Sequence, residues 1–159
     1  EEHGLSGGGL GEDQRRYPLE DVSLQGSPQQ WAARAIATFD LWEAAAIVVE
    51  RTQGGDMVKH TLKLIRPAIP VVEVVATRGK HVRAEPISAL YAMNKISHVG
   101  THTELENQMC RMTAAGYDGE GSPDRVDSLV WMFTELFPKL VTKAQARGPR
   151  KPRRRGWMG

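Results

Sequence analysis

Asp124 and Asp127 stand three residues apart at the head of an apolar series, Val126, Leu129, Val130, Phe133 and Phe137. At helical pitch that spacing puts both carboxylates on one face and the apolar side chains in a stripe suited to burial. Ser122 suits an N-cap and Pro123 the first helical position, so the sequence predicts a helix opening on two acids. Acids there complement the helix macrodipole, and two on one face can also hold a divalent cation. Glu50 adds a third carboxylate. It closes the continuous apolar run 45–49, which reads as a parallel strand buried on both faces. Ligands of open α/β sheets collect at the carboxyl ends of strands, although a strand-end acid can simply be solvated. Glu50, Asp124 and Asp127 form an all-oxygen set of the kind that suits Mg²⁺ or Mn²⁺. Two such ions about 3.5–4 Å apart stabilise the attacking and leaving oxygens of phosphodiester hydrolysis.

Arg78, Lys80, His81 and Arg83 read as a compact cationic loop that could hold a phosphate backbone near the acids, or could merely be solvated. Neither Gly54-Gly55-Asp56-Met57-Val58-Lys59 nor Gly79-Lys80 has the glycine and hydroxyl spacing of a phosphate-binding ATPase loop, so ATP hydrolysis is not expected. His98 and His102 read as surface histidines flanking a strand end, and Trp31 and Trp42 as core.

The elements that would position these residues alternate between strand and helix. A glycine-rich edge strand over 4–10, a turn at 11–14 and a strand from Tyr17 to Leu24 form a hairpin. Ser27-Pro28-Gln29-Gln30 is a capping box for a helix running to about Ala44. After the 45–50 strand come a turn at Gln53-Gly54-Gly55, a helix over 57–65 with Asp56 as its cap, and a second buried strand over 71–75. A helix from Glu85 to Asn94, a strand from Ile96 to Val99, a helix capped by Thr103 and Glu106, and the acid-headed helix complete the series. This order predicts an α/β fold, a mixed sheet flanked by helices.

The chain has 159 residues, enough for one domain with its own core. Charges interrupt each apolar stretch, so no membrane span is expected, and the opening residues do not read as a signal peptide. A single cysteine, Cys110, excludes an intrachain disulfide and a cysteine-cluster zinc site, as suits a reducing compartment. Residues 1–135 carry thirteen basic and nineteen acidic side chains, whereas 139–159 carry eight basic ones and no acid. The tail is expected to be disordered, and either binds nucleic acid or serves as a solubilising linker.

Six segments recur in register with a known family: Ile47-Val48-Val49-Glu50; Gln53-Gly54-Gly55-Asp56-Met57-Val58; Arg78-Gly79-Lys80 with Arg83-Ala84-Glu85-Pro86; His98-Val99-Gly100; Leu105-Glu106-Asn107-Gln108-Met109; and Ser122-Pro123-Asp124-Arg125-Val126-Asp127. Together they resemble the C-terminal nuclease domain of the terminase large subunit of tailed bacteriophages and gene transfer agents. The resemblance implies an RNase H-like fold over 1–138 and metal-dependent cutting of concatemeric viral DNA, with Mg²⁺ or Mn²⁺ activating water. It makes Glu50 and Asp124 metal ligands and Asp127 a ligand or supporting acid, with Arg78, Lys80 and Arg83 contacting double-stranded DNA. Its implied partners are the terminase ATPase domain, the small terminase subunit and the portal, in the cytoplasm of a bacterial host.

The resemblance has gaps. The family's first strand carries a metal-bridging Asp, and Glu1-Glu2-His3-Gly4 matches the stretch after it, where Glu1 and Glu2 are poor replacements. Leu5-Ser6-Gly7-Gly8-Gly9 stands where the family has a more β-branched strand, and Thr52 where it often has Asn. The chain is thus expected to lack the first strand, and the alternative to an endonuclease is an impaired remnant that binds DNA or a packaging protein.

Overall fold

The computed structural model describes residues 2–51 and 57–137. In chain order the elements are β1 (Glu2–His3), β2 (Ser6–Leu10), β3 (Arg16–Asp21), β4 (Leu24–Gln25), α1 (Pro28–Leu41), β5 (Ile47–Glu50), α2 (Met57–Ile65), β6 (Val71–Val74), α3 (Lys80–Ala92), α4 (Thr103–Cys110), β7 (Met112–Thr113), β8 (Gly116–Tyr117) and α5 (Asp124–Leu136). The expected turn at 53–55, the Asp56 cap, the Thr52 departure and the basic tail lie outside the described residues.

β2 and β3 form the expected antiparallel hairpin, with a bulge between Gly7 and Gly8. Gln14 closes its turn at a φ of 64°. The expected strand over 96–99 is reduced to one parallel bridge, Ile96 to Arg16, extended by hydrogen bonds from Ser97 N to Arg16 O and from Val99 N to Pro18 O. β3 therefore has an antiparallel neighbour on one side and a parallel one on the other, the mixed arrangement expected. β5 and β6 pair in parallel, with Glu50 opposite Val74. Burial of this pair is less complete than the apolar runs suggest: Val49 is buried, but Val72 is 38% exposed.

Ser27 and Gln30 cap α1 reciprocally, as the sequence indicates. The helix ends three residues earlier than expected, and Glu43 takes up a left-handed φ of 48° just beyond it. Trp31 is buried as core, whereas Trp42, past the helix end, is 42% exposed. The largest departure is α3. It begins at Lys80, not Glu85, so most of the expected cationic loop is helix. Pro86, which reads as a first-turn residue, sits in the interior of α3. A proline there forfeits one backbone hydrogen bond, and burial of Ile87 and Leu90 against α5 offsets the loss.

Two apolar clusters hold the structure. One joins α3, α4 and α5 through Ile87, Leu90, Leu105, Leu129, Val130 and Phe133. The other joins α1, α2 and β5 through Trp31, Ala35, Ile36, Val49 and Leu62. Burying each such side chain contributes about 1.5–3 kcal/mol. The end of β5 meets the head of α5 where the two clusters adjoin. That seam is where the acids gather.

Candidate active site

Glu50 is the last residue of β5, and Asp124 and Asp127 lie in the first turn of α5. The first turn of α3 faces them with the opposite charges at the same spacing, Lys80 and Arg83. Arg83 Nη1 donates to Glu50 Oε1 at 3.3 Å, and its Nη2 donates to Asp127 Oδ1 at 2.5 Å. Lys80 Nζ donates to Asp124 Oδ1 at 2.7 Å and lies 3.5 Å from Asp127 Oδ2. Ser122 Oγ accepts from Lys80 at 2.7 Å and donates to Asp124 Oδ1 at 2.6 Å. Cations in a first turn oppose the macrodipole of their own helix. Lys80 and Arg83 are held there by the acids across the seam.

Asp127 is only 7% exposed, and a side chain of that kind is buried only with hydrogen-bonding partners. Arg83 supplies one, and its guanidinium carbon lies 4.6 Å from the centroid of the Trp131 ring, a cation–π contact that seats the side chain. Burial raises the affinity of Asp124 for a proton, but hydrogen bonds from Lys80 and Ser122 and the nearby charges of Lys80 and His3 outweigh it. Its carboxyl is held below the ordinary aspartate value.

The three acids expected to work together are thus joined through two side-chain cations, and two of the three expected DNA-contacting residues are those cations. The third, Arg78, contributes its backbone carbonyl to Arg83 Nη1 at 3.3 Å. Glu2 turns elsewhere, to the guanidinium of Arg125 at 2.6 Å. His98 is not a surface histidine. Its Nε2 lies 2.8 Å from Tyr91 Oη and its Nδ1 2.8 Å from Glu106 Oε1.

The caps also differ from the sequence reading. Pro123, not Ser122, is the N-cap of α5, and it offers no side-chain acceptor. The oxygen that meets the helix amides comes from Gln108 on α4, which accepts from Arg125 N at 3.1 Å and Val126 N at 3.4 Å. Local sequence carried no signal for this contact, because α4 and α5 are joined only by packing. In α4 itself the expected reciprocal box does not form, because the cap residue makes no side-chain bond to the helix. His102 is the cap, and Glu106 accepts from the His102 amide at 3.2 Å.

Carboxylate oxygens match the donor preference of Mg²⁺ and Mn²⁺. Among the described residues no three Asp, Glu, His or Cys side chains converge closely enough to chelate one ion. The positive charge between the carboxylates comes from Lys80 and Arg83. The donor chemistry fits a divalent cation, and seating one requires those two side chains to yield.

A mixed strand arrangement, a parallel strand ending in an acid and an acid-headed helix beside it make an α/β domain of the kind an RNase H-like fold presents. The structure resembles the crystal structure of the large terminase nuclease from thermophilic phage G20c, with a TM-score of 0.56 and 18% sequence identity over 85% of this chain and 83% of that one. The sequence profile of the terminase RNaseH-like domain family matches residues 11–136, and the chain belongs to that family. Comparison with curated protein sequences gives no match. No helix among the described residues is long and apolar enough to cross a membrane.

Proposed function

We propose that this domain is a metal-dependent endonuclease that cuts concatemeric double-stranded viral DNA during packaging. The supporting observation is the convergence of Glu50, Asp124 and Asp127 from two separate elements onto one pair of cations. Glu50 and Asp124 are the metal ligands in this reading, and Asp127 is a ligand or their support. Bound Mg²⁺ or Mn²⁺ supplies the Lewis acidity that activates water and steadies the leaving oxygen. Lys80 and Arg83 neutralise the acids before metal arrives. With Arg78 they would also contact the phosphates of the DNA strand.

The reading also takes residues 1–138 as the nuclease unit and 139–159 as a basic tail, which either contacts DNA phosphates or serves as a solubilising linker. Its partners are double-stranded DNA, the terminase ATPase domain, the small terminase subunit and the portal, in the cytoplasm of a bacterial host.

The test is conversion of supercoiled plasmid to nicked and linear forms with Mn²⁺ or Mg²⁺, by this domain preceded by the family's Asp-bearing first strand. Glu50→Gln and Asp124→Asn should each lose activity by about a hundredfold or more while keeping the wild-type circular dichroism spectrum. Equal cutting by either variant overturns the site assignment. Absence of cutting with any metal, with salt-sensitive DNA binding retained, overturns the nuclease reading in favour of a DNA-binding module.

A further inference from the structure

Gln108 lies outside the carboxylate cluster, yet it touches the backbone of the two residues between Asp124 and Asp127. Its Oε1 accepts from the amides of Arg125 and Val126, and its Nε2 donates to Glu2 Oε2 at 3.4 Å. The Arg125 side chain closes the assembly, donating to Glu2 Oε1 at 2.6 Å and to Asp21 Oδ2 at 2.7 Å. The first amides of a helix have no partner within it, and Pro123 provides none for α5. Gln108 fills that role from another helix.

We propose that Gln108 is a positioning residue for the Asp124–Asp127 pair. Asp124 and Asp127 share a face only while the first turn of α5 keeps its pitch, and that turn is the one most prone to fray. An acceptor anchored on α4 fixes the amides of Arg125 and Val126, and so fixes the angle between the two carboxylates. The N-terminal segment also presses on this turn. A Cβ added at Gly4 would lie 2.0 Å from the Asp124 carbonyl oxygen. Glu2, held by Gln108 and Arg125, anchors that segment. The turn is therefore held by both α4 and residues 2–4. In its bearing on metal binding, this inference rests on the reading of the acids as metal ligands.

The test compares Gln108→Met, which keeps length and loses the acceptor, with Gln108→Glu, which keeps acceptor oxygens. Amide hydrogen exchange is followed at Arg125 and Val126, and Mn²⁺ binding by calorimetry, both in the full chain. In Gln108→Met the two amides should exchange about threefold to tenfold faster, the range that one lost hydrogen bond implies. The second half of α5 should keep its protection, and Mn²⁺ affinity should fall by a similar factor. Gln108→Glu, which keeps the acceptor but loses the donor to Glu2, should hold the two amides to within about twofold of wild-type exchange. Unchanged exchange in Gln108→Met, accelerated exchange along the whole of α5, or failure of Gln108→Glu to restore protection overturns the inference. So does an affinity that does not move while the two amides open. A wild-type chain that binds no Mn²⁺ sinks the metal-ligand reading instead, and the exchange measurements alone then decide whether Gln108 holds the turn.

Discussion

The Arg83 guanidinium and the Asp127 carboxylate meet at 2.5 Å, with side chains 10% and 8% exposed. Each is the other's nearest opposite charge, with Lys80 3.5 Å from Asp127 and Glu50 3.3 Å from Arg83 as the next. Removing one member of a buried pair costs about 3–5 kcal/mol, because the survivor stays unpaired. Arg83→Met should lower the metal-free unfolding free energy by up to about that amount, because Lys80 still lies 3.5 Å from Asp127. A saturating divalent cation should recover part of the loss, since it would replace the missing positive charge. Urea unfolding with chelator and with Mn²⁺ measures both. Equal losses in the two conditions would show that no metal enters beside Asp127.

Gly4 makes a second demand on the head of α5. Its backbone lies so close to the Asp124 carbonyl that any side chain must displace one of the two segments. Gly4→Ala should destabilise by about 1–3 kcal/mol, an overpacking cost. The amide resonances of Asp124 and Arg125 should shift more than those at the far end of α5. A substitution that leaves these resonances unmoved would refute the close approach.

Glu106 gives a pH dependence whose direction is fixed by its partners. The His102 amide lowers its carboxyl most, and the hydrogen bond with His98 and the charges of both histidines add to that, against a smaller effect of burial. A folded value below the unfolded one means that ionised Glu106 stabilises the fold fully above the ordinary carboxylate pKa of about 4.3. That contribution fades as pH falls through the lower folded value. The gap in unfolding midpoint between wild type and Glu106→Gln should therefore be open at neutral pH and close in acid. A gap that does not depend on pH would mean that the charge is immaterial.

Ser27 and Ser122 should behave differently despite similar sequence settings, each being followed by proline. Ser27 completes a reciprocal capping box, so Ser27→Ala should cost about 0.5–2 kcal/mol. Ser122 caps nothing, and Ser122→Ala should chiefly loosen Lys80 and Asp124. Thermal melts of the two variants separate the roles.

The sequence by itself determined the elements whose cause is local. The Ser27 box, the apolar stripe of α5, the hairpin turn at 11–14 and the acid closing β5 were all legible, because each depends on residues within a turn or two of one another. The start of α3 was not. The sequence predicts that helix from Glu85, whereas the first turn around Lys80 carries cations that pair with Asp124 and Asp127, more than forty residues away. The cap of α5 was illegible for the same reason: Gln108 reaches its amides only after α4 and α5 pack. The sequence thus named the three carboxylates and the three basic residues. Only tertiary structure decided that Lys80 and Arg83 stand between the acids, since pairing of buried opposite charges depends on which helices the apolar clusters bring together.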